Sequence, residues 1–295
     1  MKAKKKAPLF LVLLLFVQCT SQKQISNNDC ATTHPVLLVH GIAYRDDVPF
    51  IKYWSKIPEK LEKNGATVFL AHQDALNSHI ENALQIKDRI QQILEETGCE
   101  KVNIISHSKG GLESRYMISN LGMANKVASL TTLATPHRGS ALADTVFAFL
   151  ERKNLLIKAS KIARFYARLI GDKEPNFYRA GKDLTNTYMQ HFNQSILDVP
   201  DVYYQSYGGV VTKNYPAWLV RVQHKLMTKA EGDNDGIVSK QSYQWGNFKG
   251  IAKSNDDFGV SHFDIVGMRF VSGVSSFDAN YFVINIVKDL KTKGF

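Results

Sequence analysis

The chain has 295 residues, 44% hydrophobic and 22% charged, with a formal net charge of +10. That balance suits a folded chain with a substantial core, and it excludes a disordered polymer or a protein of many membrane spans. The basic excess does not mark a nucleic-acid reader: there is no basic helix interleaved with aromatics and no recognisable nucleic-acid module.

Lys2, Lys4, Lys5 and Lys6 precede an unbroken apolar run, Leu9 to Val17, that stops at Gln18-Cys19. The run is shorter than a bilayer span, and its flanks are those of a secretory signal over residues 1–18. Two outcomes stay open at its end. Cys19 stands where a bacterial lipoprotein carries its acyl groups, although Gln18 is a poor match to the small residue usual before it. Cleavage a few residues later by the ordinary signal peptidase is the competing outcome. The protein is therefore expected to be exported, as a cell-envelope lipoprotein or a secreted chain, with residues 19–33 as a short tether. Removing residues 1–18 takes away four lysines and no acids, which lowers the formal charge from +10 to +6. An excess of that size suits an anionic membrane surface as well as a merely solvated one.

From Pro35 onward short apolar runs alternate with amphipathic stretches. Val36-Leu37-Leu38-Val39 reads as a buried strand ending in His40-Gly41, residues 51–64 as a helix stopped by Asn64-Gly65, and Val68-Phe69-Leu70 as the next strand. Ile80, Ala83, Leu84, Ile90, Ile93 and Leu94 recur at helical spacing, and Gly98 closes that helix. Lys101 to Ile105 predicts a strand, followed by a helix to about Leu121 and a strand from Val127 to Leu133. Near the end, residues 281–292 predict an amphipathic helix. Strands alternating with long helices indicate a mainly parallel sheet with helices on both faces, in one domain over residues 34–295. Residues 141–170 differ. Phe147, Phe149, Leu155, Ile162, Phe165 and Leu169 alternate there with Arg152, Lys153, Lys158, Lys161, Arg164 and Arg168. Such a basic amphipathic insertion reads as a lid or membrane-surface helix, or else as an ordinary helix covering the sheet.

The strand ending at Ile105 runs straight into Ser106-His107-Ser108-Lys109-Gly110-Gly111 and then a helix. A small residue, any residue, serine, any residue and glycine at a strand-to-helix turn is the pattern of a nucleophile elbow. The positions two before and two after the serine must be small to let the chain turn sharply. Here they are Ser106 and Gly110. The helix starting at this turn aims its positive end at the site, where it favours developing negative charge. Two backbone N–H groups are needed for an oxyanion hole. Lys109 supplies one, and the Val39-His40-Gly41-Ile42 loop supplies the other through Ile42. An acid and then a histidine must follow downstream. Asp235, in Gly232-Asp233-Asn234-Asp235-Gly236, and His262, in Ser261-His262-Phe263-Asp264, meet that order, with Asp233 as rival acid. Only His262 lies after the acid among the nine histidines. His107 is expected to project away from the position a base must occupy.

His34 to Ile42, Val102 to Gly111 with Ser114-Arg115-Tyr116, Thr135 to Ser140, Asn234 to Ser239, and His262-Phe263-Asp264 together resemble the secreted bacterial triacylglycerol lipases of the Pseudomonas and Burkholderia type. The resemblance runs in order from about residue 34 to 270. It implies an α/β-hydrolase fold with a helical lid over about 141–170, and a lipase acting on acylglycerols or related lipid esters through an acyl-enzyme. Ser108, Asp235 and His262 would form the triad, with Ile42 and Lys109 as oxyanion donors, and no cofactor would be required. Lipid ester would be the partner, met at a membrane or lipid-droplet surface through the lid and the N-terminal anchor. A short-chain carboxylesterase or polyester depolymerase would use the same mechanism, and a non-catalytic surface-binding protein on this scaffold is the remote alternative.

Ser106 departs from the family's glycine, but it is still small. The family also binds structural calcium through two aspartates. Asp264 matches the one that lies two residues after the histidine. The second should lie roughly twenty residues before the catalytic acid, yet Tyr203 to Ala230 contains no Asp or Glu. A hard cation held by one carboxylate and carbonyls would be weakly bound. Zinc at His72, Asp74 and His79 is a weaker expectation, since that stretch reads as a surface loop. In this fold Cys30 and Cys99 both fall at the N-terminal edge of the sheet. A disulfide between them would stabilise by roughly 4 kcal/mol in the chain-entropy model.

Overall fold

Short segments rich in branched and aromatic residues form the strands β1 (Val36–Val39), β2 (Val68–Leu70), β3 (Val102–His107), β4 (Val127–Leu133), β5 (Tyr203–Gly208) and β6 (Asn247–Ile251). They make one sheet in the order β2-β1-β3-β4-β5-β6, with every neighbouring pair parallel. The computed structural model from which this is taken describes residues 28–46, 48, 52–268 and 275–295. β1, β3 and β4 are buried along their whole lengths, as continuous apolar strands covered on both faces must be. β1 has β2 on one side and β3 on the other, so the winding reverses there. Outside the carboxyl ends of β1 and β3 lies the crevice where open parallel sheets bind ligands.

The crossover helices are α1 (Ile57–Lys63), α2 (His79–Thr97) and α3 (Lys109–Asn120). α1 starts later than the expected residue 51 because Pro58 is tolerated only in a first turn. Its stop is as expected, with Gly65 at φ +91°. Ser78 caps α2 by accepting from the Glu81 N–H, and Gly98 ends it in the left-handed conformation.

Between β4 and β5 the chain builds a helical insertion larger than the expected 141–170. α4 (Ala141–Arg152) and α5 (Leu156–Leu169) are separate helices, broken where Asn154 takes φ +53°. α6 (Phe177–Lys182) and α7 (Asn186–Ser195) follow. After β5 come α8 (Trp218–Glu231) and a single turn, α9 (Lys240–Tyr243), and the chain closes with α10 (Ala279–Thr292). Asp278 caps α10 through the Asn280 and Tyr281 N–H groups, which starts it two residues before the expected 281. α1 and α10 cover one face of the sheet with a core of Leu38, Ile57, Leu61, Val283 and Val287. α2 and α3 cover the other with Leu37, Ile86, Ile90, Ile104 and Met117. No helix among the described residues is long and apolar enough to cross a membrane.

The expected disulfide is corrected here: Cys30 and Cys99 are both free. Cys30 sits in the core beneath α1 and α10, with its N–H on the Asn64 carbonyl at 2.8 Å and its Sγ facing the Ile284 carbonyl. Cys99 follows α2, the helix on the opposite face, and its Sγ faces the Thr97 carbonyl. Cys30 thus belongs to the α1 and α10 core, whereas Cys99 lies in the partly exposed loop that follows a helix of the other face. Burial pushes the Cys30 thiol up to about 11.

Candidate active site

β3 delivers Ser108 to the centre of the crevice. Its backbone is held at φ +53°, ψ −129°, a conformation that serine rarely adopts and that costs on the order of 1–3 kcal/mol. The surrounding packing enforces it. A Cβ on Gly110 would lie 2.3 Å from the His40 carbonyl oxygen, so β1 can approach the turn only over a glycine. Ser106, where the family has glycine, is fully buried and turns its hydroxyl to the Thr131 carbonyl on β4 at 3.4 Å. The extra atoms are accommodated by a hydrogen bond.

The downstream partners come to the same point. His262 Nε2 lies 3.0 Å from Ser108 Oγ, and His262 Nδ1 lies 2.9 Å from Asp235 Oδ2. The other carboxylate oxygen of Asp235 accepts from the Ile237 and Val238 N–H groups at 2.9 and 2.7 Å, and the His262 N–H donates to the Asp235 carbonyl at 2.9 Å. Asp235 is fully buried, whereas its rival Asp233 faces Lys240 at the surface. The arrangement can take a proton from the serine at Nε2 and carry the resulting imidazolium beside a buried carboxylate.

On the opposite side stands the loop after β1. Ile42 borders the same cavity as Ser108. The N–H groups flanking that of Ile42 are tied: Gly41 donates to Tyr53 Oη at 2.8 Å and Ala43 to the Ala75 carbonyl at 3.0 Å. Lys109 begins α3, where the first N–H groups have no acceptor within the helix. Its side chain turns away into a buried ion pair with Glu113 at 2.6 Å. Glu113 also accepts from Asn82 and Gln73, and Gln73 donates to the His40 carbonyl at 2.9 Å.

Sequence reasoning missed one feature of the site. The ring of His107, beside the nucleophile, is built into the site against His262. Tyr53 Oη, already accepting from Gly41, lies 2.5 Å from His107 Nδ1, and His107 Nε2 lies 2.9 Å from the His262 carbonyl. The phenol hydrogen can only go to Nδ1, so Nε2 carries the ring hydrogen and donates to that carbonyl. Burial and the facing His262 ring, with centroids 4.6 Å apart, hold His107 well below the usual histidine range. It stays neutral next to the imidazole that must become charged. Gly41, Tyr53, His107 and His262 thus form one hydrogen-bonded chain across the floor of the site. A tyrosine fifty-four residues upstream of its histidine partner gives no local signal.

Asp264, the residue that matches the family's calcium ligand, is held by its neighbours through one carboxylate oxygen. Its Oδ2 accepts from Tyr215 Oη at 2.6 Å and from the Ser261 N–H and hydroxyl at 2.9 and 2.8 Å. Donor hydrogens, not lone pairs, surround that oxygen, and no group of three or more His, Cys, Asp or Glu suited to a metal occurs among the described residues. The other carboxylate oxygen, Oδ1, is buried with no hydrogen-bond partner among the described residues. The zinc triplet is dispersed: Asp74 pairs with Arg45 at 3.2 Å, His79 with Asp183 at 2.9 Å, and His72 is exposed.

An apolar cavity of about 400 Å³ opens from Ser108 and His262. Ile42, Leu142, Val146, Phe147, Phe177, Leu219 and Val238 line it, so α4, α6 and α8 roof the site.

A strained serine at the switch point of a parallel sheet, followed in the chain by its acid and its histidine, is the α/β-hydrolase arrangement, and the protein is a carboxylic ester hydrolase of that class. The chain belongs to the palmitoyl protein thioesterase family, whose model matches residues 35–267. It is 30% identical to triacylglycerol lipase 2 of Saccharomyces cerevisiae over 263 residues, covering 83% of this chain and 75% of the yeast protein. It is 27% identical to a triacylglycerol lipase of Pseudomonas fragi over 265 residues, covering 80% and 88% of the two chains. Among solved structures, a metagenomic carboxyl esterase superposes with a TM-score of 0.69 at 15% identity, covering 89% of this chain and 76% of the esterase, a likeness of fold.

Proposed function

We propose that the protein hydrolyses lipid esters through an acyl-enzyme in which Ser108 is the nucleophile. The observation that carries this is the continuity of the hydrogen-bonded Asp235–His262–Ser108 line with an apolar cavity. His262 accepts the Ser108 proton as Oγ attacks the ester carbonyl, and Asp235 holds the tautomer and stabilises the imidazolium. The N–H groups of Ile42 and Lys109 receive the oxyanion. His262 then gives its proton to the leaving alcohol, and water, deprotonated by the same imidazole, releases the acid. The cavity takes the acyl chain. The family model is named for a palmitoyl thioesterase and the relatives for triacylglycerol hydrolysis; an acyl group is common to both, and the palmitoyl of the family name is a long one.

The helical insertion is the lid of this reading and meets the lipid surface, membrane or droplet, on which such substrates lie. The chain is exported by its first eighteen residues and is then either lipidated at Cys19 or cleaved beyond it. That segment lies outside the described residues, and mass spectrometry of the mature N-terminus separates the two.

A fluorophosphonate probe should label the wild type and not Ser108→Ala, and the substitution should lower ester turnover on the order of a million-fold. Labelling of both would sink the nucleophile assignment. In a chain-length series of esters, turnover should rise from short to long acyl groups. A maximum at the shortest esters selects the carboxylesterase alternative.

A further inference from the structure

The inner side of α5 is already occupied. Ala163 and Ala167 pack with Ile42 of the oxyanion loop, and Tyr166 donates to the Ala43 carbonyl at 2.8 Å. Its outer side is not covered by any of the described residues. Ile162, Phe165 and Leu169 are 61%, 68% and 70% exposed, far more than a helix on a globular surface leaves of its large apolar residues. Their spacing of i, i+3 and i+7 aligns them in one row along the helix. Lys161, Arg164 and Arg168, also exposed, repeat that spacing one position earlier, so a basic row runs beside the apolar one. Lys158 adds a fourth cation, and Leu156–Leu169 contains no acidic residue.

Two parallel rows of this kind fit a planar partner that is apolar just beneath an anionic layer. A neutral oil surface would satisfy the apolar row and leave four cations unanswered. A folded protein partner would need carboxylates set at the spacing of the basic row, and nothing in this chain calls for that pattern.

We propose that the outer face of α5 docks flat on bilayers containing anionic phospholipid, with Ile162, Phe165 and Leu169 below the headgroups and Lys161, Arg164 and Arg168 at the level of the phosphates. The docking rests on this surface and not on the ester-hydrolase reading. Its consequence for that reading is mechanical: the docked helix is the one whose inner face packs on Ile42.

The test is co-sedimentation of the full chain with phosphatidylcholine vesicles, with and without phosphatidylglycerol. Each basic residue near an anionic surface contributes about a fivefold gain in partitioning, so Lys161→Glu/Arg164→Glu/Arg168→Glu should lower binding to the mixed vesicles roughly a hundredfold or more. The same variant should bind pure phosphatidylcholine as the wild type does. Ile162→Ser/Phe165→Ser/Leu169→Ser should lose binding to both. All six positions are exposed, and unchanged turnover of a soluble short-chain ester shows that the variants are folded and separates this test from that of the active site. Three outcomes would overturn the proposal. Equal binding of the wild type to both vesicle types means the apolar row acts alone. An anionic preference that survives the glutamate variant places it on other basic residues, such as the N-terminal lysines. A wild-type dimer in solution that the serine variant converts to monomer, without vesicle binding, assigns the face to a second copy of the chain.

Discussion

The elbow and the insertion that roofs it are built on opposite plans. Around Ser108 the elements are tied to one another: Gly41 by Tyr53, His107 by both Tyr53 and the His262 carbonyl, and Asp235 by two N–H groups besides its histidine. The segment leaving α5 is held instead by a small ionic clasp. Asp172 accepts from the Ala75 and Leu76 N–H groups at 2.8 Å each, while Arg45 reaches Asp74 and the Gly171 carbonyl at 3.2 and 3.1 Å. Burial raises the Asp172 carboxyl above the usual range, so the clasp keeps its charge against a desolvation cost. The part that must be exact to a fraction of an ångström is over-determined by buried hydrogen bonds, several of them to the Asp235 carboxylate, and by packing. The insertion joins the body through these ionic contacts together with the packing of Ala163 and Ala167 on Ile42 and the Tyr166 bond to the Ala43 carbonyl.

That contrast can be broken at several points. The largest effect is expected within the elbow: Asp235→Asn should keep the geometry but lose the tautomer, lowering kcat about 10⁴-fold. Asp233→Asn, at the surface, should leave kcat within a factor of about two. Equal losses from both would dissolve the assignment of the acid. Next comes the clasp. Arg45→Ala leaves two buried carboxylates without their cation and should cost roughly 3 kcal/mol. If the insertion is separately hinged, that cost appears first as faster proteolysis within residues 141–176 and only later in the thermal midpoint of the whole domain. A third, smaller effect belongs to the chain beneath the site. Tyr53→Phe strands the Gly41 N–H and frees the His107 tautomer, a loss of about 1–3 kcal/mol. If the tie positions the catalytic loops, kcat should fall about tenfold with KM nearly constant, whereas a merely structural role would move the melting temperature and spare kcat. The smallest effect should be none. Dithiothreitol should leave the thermal midpoint unchanged, because Cys30 and Cys99 are free, and a drop equivalent to roughly 4 kcal/mol would restore the disulfide.

How far the sequence carried these assignments follows from where the information is local. β1, β3 and β4 are contiguous apolar runs, and Ser108, Asp235 and His262 stand in an order that the chemistry demands. Those could be read directly, as could the helix ends at Gly65 and Gly98. β5 and β6, Tyr-Tyr-Gln-Ser-Tyr-Gly and Asn-Phe-Lys-Gly-Ile, carry too many polar residues to stand out from loops. β5 is recognised as a strand only beside β4, where Gln205 finds the Thr131 hydroxyl at 2.9 Å. The Cys30–Cys99 pairing failed because sequence position along a strand fixes the edge of the sheet but not its face. Tyr53 and His107 were illegible for a different reason. Their roles arise from each other and from two loops far away in the chain, and neither residue alone departs from an ordinary buried aromatic.

The Lys109–Glu113 pair has a last consequence, in the response to ionic strength. Lys109 follows the nucleophile in the chain, but its ammonium is turned away and paired with Glu113, and both side chains are sealed at 1% and 2% exposure. The charges nearest Ser108, this pair and the Asp235 carboxylate, are therefore buried where mobile ions do not reach. The charges of α5 stand in solvent, where screening acts within about 10 Å at 0.1 M salt. Added salt should thus loosen the protein's hold on a charged surface while leaving turnover of a dissolved ester unaltered, so one molecule carries one half that feels the medium and one half that does not.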